Sequence, residues 1–171
     1  MSLPQGDLRL LDSAPARRLL ASSIPARLAL VWTDGTPRVT PTWFTWTGEE
    51  LVMCTFMAGL GIRHPARRVD VLRRNPDVAI TIDTDDAVPD VLLIRGRAVV
   101  TEVDGLAAEH VAAARRYLGE EAAASFVASA RQPGTRTARI GVRPSWVGLI
   151  DFETRLPSPR GGVLQPLPVV E

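Results

Sequence analysis

The chain has 171 residues and a mass of 18.5 kDa, which fits one domain over 1–171, large enough to bury a core and too small for two catalytic domains. Hydrophobic residues make up 46% and charged residues 23%, a globular composition, and a net charge of +1 argues against bulk electrostatic binding to nucleic acid or an anionic membrane. All twenty basic residues are arginine, which excludes lysine Schiff-base chemistry. The lone Cys54 excludes an internal disulfide and a cysteine-built zinc site, and two histidines are too few for most metalloenzymes.

Residues 1–12 read as a loosely held arm. Ser13 followed by Pro15 opens a short helix through Arg17–Ala21, which Pro25 ends. Ala26–Thr33 is an apolar, β-branched strand, and Asp34-Gly35 is a hairpin signal. A second strand is expected over Arg38–Trp46 and a third over Leu51–Phe56, the three forming a meander. A small-residue loop, Ala58-Gly59-Leu60-Gly61, runs into Arg63, His64 and Pro65, and Pro65 starts a helix to Asn75 with Val69 and Leu72 on its buried side.

Val78–Asp83 and Val91–Val103 follow as strands, with Gly96 marking a bulge or the close approach of another backbone. Two alanine-rich helices, Leu106–Leu118 and Glu120–Ala130, break at Gly119. Ala138–Ile150 closes the pattern as a strand pair or one bent strand, and 157–171 is an irregular tail rich in Pro and Gly. The turns between the first strands are too short for parallel crossovers, so the expected class is mostly β, an antiparallel barrel with added helices.

The densest chemistry lies between 63 and 74: Arg63, Arg67, Arg68, Arg73 and Arg74 stand against one acid, Asp70. Guanidinium forks beside a loop entering a helix suit a phosphate. Arg73 and Arg74 read as a solvated helix face, which leaves Arg67 and Arg68 as the candidate anion ligands. Trp43, Phe44 and Trp46 offer an aromatic wall, although strand alternation lets at most two of them line one pocket.

Val52-Met53-Cys54-Thr55, Ala66-Arg67-Arg68, Leu72 and Asn75-Pro76 together resemble the signature of pyridoxamine 5′-phosphate oxidase-like split β-barrels, with Arg68 four residues before Leu72 and Pro76 four after it. Val39-Thr40-Pro41-Thr42-Trp43-Phe44 is similar to a strand of the actinobacterial branch that binds FMN or the deazaflavin F420. The resemblance covers roughly residues 15 to 156 and implies a split β-barrel of the FMN-binding type, a homodimer with cofactor sites at the subunit interface, and hydride transfer to or from a small molecule. By position it assigns Arg67 and Arg68 to the cofactor phosphate, Thr55 to the ribityl or phosphate portion, and Thr42 and Trp43 to backbone or face contacts with the ring, with Phe44 a further ring candidate from the aromatic wall. Arg63, in the same loop, joins them as a cofactor-binding candidate. FMN is the expected cofactor and F420 the alternative. A cofactor-binding module without turnover, or an arginine-rich nucleic-acid binder (disfavoured by nineteen acids), are the rival readings.

The chain departs from the family pattern. Arg68 replaces a lysine, Ala66 a serine, and the loop from Thr55 to Ala66 is longer. Arg155-Leu156-Pro157 lacks the histidine of the substrate-holding segment, which argues against oxidation of pyridoxamine phosphate itself. His64 reads as a surface loop residue, His110 and Tyr117 as helix packing, Cys54 as a buried thiol, and Asp83, Asp85, Asp86 and Asp90 as a solvated hairpin end rather than a calcium loop. No catalytic side chain is singled out. With no signal-like opening and no long apolar run, the expected location is the cytoplasm.

Overall fold

Period-two burial organises the sheet. In the computed structural model, which describes residues 3–59, 61–152 and 155, strand β1 (Ala26–Val31) buries Ala26, Leu28 and Leu30 and turns the residues between them outward. β5 (Asp77–Asp83) does the same with Val78, Ile80 and Ile82, and the first half of β6 (Val91–Asp104) with Leu92 and Ile94. With β2 (Pro37–Thr42), β3 (Thr45–Trp46), β4 (Leu51–Ala58) and β7 (Arg136–Ile150) they form one seven-stranded antiparallel sheet, ordered β2-β1-β5-β6-β7-β4-β3. Four helices accompany it: α1 (Ala14–Ala21), α2 (Arg68–Arg74), α3 (Ala108–Leu118) and α4 (Glu120–Ala130). The fold is the mostly β, antiparallel split barrel expected from the sequence.

β7 is the spine. It pairs with β6 along its whole length and with β4 through Arg136–Val142, as one long strand rather than two. The β6–β7 register shifts between Arg95 and Gly96, so Ser145 is the extra residue. A Cβ on Gly96 would lie 2.5 Å from the Arg143 carbonyl oxygen, so the glycine marks both the bulge and a close backbone approach. Gly119, at φ +81°, separates α3 from α4 as the sequence indicates.

Three expectations need correction. The strand expected over 38–46 is two strands: β2 pairs only with β1 and β3 only with β4, at opposite ends of the strand order, so the first three strands form no meander. The physical reason is Phe44, fully buried between them. The Arg116 guanidinium lies 4.3 Å from the Phe44 ring centre, donates to the Phe44 carbonyl, and donates to the Leu20 carbonyl at 2.9 Å.

The described part of the amino-terminal arm is not loose. Gly6 N–H donates to Val147 O at 2.7 Å, and the Gln5 side chain exchanges two hydrogen bonds with the Leu149 backbone at 2.6 and 2.8 Å. The following 3-10 helix, Leu8–Asp12, buries Leu10. Finally, α2 begins at Arg68 rather than Pro65, after an Arg67 cap that makes no side-chain capping bond. Of the expected irregular tail, 157–171 lies outside the described residues.

Candidate functional site

Beside Trp43, where the strand breaks between β2 and β3, lies a cleft of about 400 Å³. Pro25, Pro41, Thr42 and Trp43 come from the β1 approach and the end of β2. Val52 and Cys54, two residues apart on one face of β4, form a second wall, and Glu109, His110 and Ala113, within one turn of α3, form a third. Arg68 enters from the first turn of α2.

Trp43 is held by its neighbours. Its ring stacks on Tyr117 at 5.2 Å with 7° between planes, and the Tyr117 hydroxyl donates to Ile24 O at 3.1 Å. Thr42 is buried and its hydroxyl donates to the Trp43 carbonyl at 3.3 Å.

Arg68 supplies the charge. The residue is half-buried, its Nε is fully buried without a hydrogen-bond partner among the described residues, and burial pulls its pKa below the ordinary arginine value. An unmet buried donor costs about 1–3 kcal/mol, more when it carries charge, so this group favours an anionic partner.

The other titratable groups add no second charge of consequence. Burial, then the charge of Glu109, push the Cys54 thiol up to about 12, so it is a neutral thiol and no nucleophile at physiological pH. Burial pushes the Glu109 carboxyl up, but hydrogen bonding and charge from Arg139 outweigh it and hold the group below its usual range. The Arg139 side chain bridges Glu109 and Glu50, each at 2.8 Å, so Glu109 arrives at the cleft already paired. His110, only 7% exposed, is pulled down to about 4 by burial and is neutral. No group of three potential metal ligands occurs among the described residues.

Of the seven residues that the sequence points to, Thr42, Trp43 and Arg68 line this cleft. Phe44 lies behind it in the core, edge-on to Tyr117 at 6.5 Å. Thr55 alternates away from Cys54 on β4 and is half-buried, and Arg63 is exposed in the loop after β4. Arg67 is exposed and lines a separate depression of about 210 Å³ with Trp32, Thr33, Asp70, Val71 and Arg74. Consecutive helical positions diverge by about 100°, so Arg67 and Arg68 do not converge on one point.

The cleft is also lined by His110 and Cys54, read from sequence as packing and a buried thiol, and by Glu109, which the sequence does not single out. His110 was readable only as a polar residue three positions before Ala113 on a helix too rich in alanine to mark its faces. Arg73 takes the solvated place expected for it, bridging Asp70 at 3.4 Å and Glu102 at 2.6 Å. The acidic hairpin is paired in part, Asp90 with Arg18 at 2.6 Å and Asp83 with Arg27.

Residues 14–150 match the family model described as Pyridoxamine 5'-phosphate oxidase. The chain belongs to that family. Among solved structures, an F420 reductase is 27% identical, with a TM-score of 0.57 over 77% of this chain and 94% of its own. A conserved hypothetical protein from Mycobacterium tuberculosis is 18% identical, with a TM-score of 0.63 over 88% of this chain and 89% of its own. A heme binding protein from Mycobacterium smegmatis, 20% identical, has a TM-score of 0.54 over 82% of this chain and 54% of its own. The last two likenesses concern the fold. No curated protein matches the chain. Family membership thus rests on the stretch from α1 to the end of β7, which contains every cleft residue. No helix among the described residues is long and apolar enough to cross a membrane.

Proposed function

We propose that the chain is a redox protein that holds FMN in this cleft, with the deazaflavin F420 as the alternative cofactor. The observation that carries the reading is Arg68: a half-buried cation with an unpartnered Nε beside an aromatic, proline-lined cleft. Such a site suits a flat, apolar ring system that ends in an acidic ester. When bound, the cofactor supplies hydride transfer at its central ring.

The chain supplies orientation and dryness. Trp43, backed by Tyr117, gives the ring an aromatic face, Pro25, Pro41, Val52 and Ala113 exclude water, and Arg68 fixes the acidic end. Thr55, Phe44, Arg63 and Arg67 drop out of the contact set within one subunit; the exposed Arg63 and Arg67 would meet a cofactor only across a homodimer interface. Val39 and Val99, 63% and 61% exposed, are apolar surface that such a second copy could cover.

The deciding experiment is the absorption spectrum and mass of any small molecule released when the purified protein is denatured. A flavin supports FMN and a deazaflavin supports F420, whereas a protein that binds neither when both are supplied removes the proposal. F420 is supported by one observation of its own, the likeness to the F420 reductase at 27% identity. Reoxidation of the loaded protein by quinones and other acceptors separates an enzyme from a binding module without turnover.

A further inference from the structure

One group at the cleft has no role in the reading above. His110 sits on α3 with its ring 4.9 Å from Phe56 and 5.5 Å from Phe126, in surroundings that would suit a phenylalanine. It nevertheless lines the cleft, and Ala113, three residues further along α3, leaves space beside it. Its Nδ1 is fully buried without a partner, and neither ring nitrogen is hydrogen-bonded to another described residue. The polar neighbours do not serve it. Glu109 is engaged by Arg139, and Cys54 is a weak donor. A neutral imidazole offers one N–H and one lone pair, so it can match a polar ring atom without adding charge.

We propose that His110 hydrogen-bonds the heteroaromatic ring of the cofactor in the cleft, reading a polar ring atom while Arg68 takes the acidic end. The proposal rests on the cofactor reading and divides recognition between two residues. Arg68 responds to the charge of the ligand and His110 to the heteroatoms of its ring. Among the described residues no carboxylate backs the imidazole, so it is a positioning group for the ring rather than a general base.

The chain has only two histidines, and His64 is exposed in the loop before α2. Long-range 15N–1H spectra of the wild-type protein therefore contain two imidazole patterns, followed while FMN, and separately F420, is added. The His110 ring nitrogens are expected to shift as the cofactor binds while those of His64 stay in place. Replacing His110 by Phe is expected to weaken cofactor affinity about tenfold without lowering the thermal midpoint of the free protein, because the aromatic packing survives and an unmet nitrogen is removed. A role in packing alone predicts the reverse, unchanged affinity and a lower midpoint. If FMN or F420 binds while the His110 signals stay put, the inference is overturned and the cofactor reading stands. If neither compound binds the wild-type protein, both fall together.

Discussion

The β5–β6 hairpin and the cleft beside Trp43 are made by the same sheet and differ in how completely their polar groups are satisfied. In the hairpin, apolar residues alternate inward, and outward charges meet partners in water, as Arg97 does with Asp77 at 3.0 Å. At the cleft the strand breaks, and the three buried side-chain nitrogens without partners among the described residues belong to Arg68, His110 and Arg116. Two of these residues line the cleft, and the third lies behind it against Phe44 and Tyr117. Unmet polar groups gathered at and behind one concave place, beside a frame whose signals agree, are what motivate the ligand-site proposal.

The contrast can be broken most forcefully at Arg68. Replacing it by Ala is expected to abolish cofactor retention through gel filtration while leaving circular dichroism unchanged. Retained cofactor would show that the unpaired guanidinium has nothing to do with binding.

Acid should act on the cleft before the hairpin. Folding lowers the His110 pKa from 6.5 to about 4, so between those values the unfolded chain takes up a proton that the folded chain refuses. The stabilisation from keeping His110 neutral is complete above pH 6.5 and lost as pH falls to 4, on the order of 3 kcal/mol in all. Urea unfolding of wild type and His110→Phe across this range should show that much less acid sensitivity in the variant.

Arg116 holds the passage between β2 and β3 in place. Substituting Met keeps much of the packing but removes hydrogen bonds to two backbone carbonyls, and a loss of about 2–3 kcal/mol is expected, with red-shifted or broadened tryptophan fluorescence as the Trp43–Tyr117 stack loosens. In the frame, Gly96→Ala drives a methyl against the Arg143 carbonyl and should cost about 1–3 kcal/mol, read as a lower denaturant midpoint with cofactor affinity unchanged. Removing the exposed Arg97–Asp77 pair is the smallest change, within about 0.5 kcal/mol.

The regular frame was legible because its signals are local. Alternation in β1, β5 and β6, Ser13 capping α1, Gly119 between two helices and Gly96 at the bulge each act within a few residues. The break between β2 and β3 was not, since what holds it is Arg116, 72 residues from Phe44. The pinned arm has the same cause, Gln5 meeting Leu149 across 144 residues. The site was half legible. Helical period puts Arg68 over the buried Leu72 four residues on and Arg67 in line with exposed Arg74, whereas adjacency in sequence presents the two arginines as a pair. His110 stayed hidden because an alanine-rich helix shows no contrast between its faces.

The two-residue passage between β2 and β3 carries one more consequence. Trp43 turns to the cleft and Phe44 to the interior because a fixed count of residues joins two strands that lie at opposite ends of the strand order. Side chains there can be exchanged one for another, but length cannot. A single inserted or deleted amino acid would disturb that division, turning the cleft's aromatic wall inward or the central plug out into water.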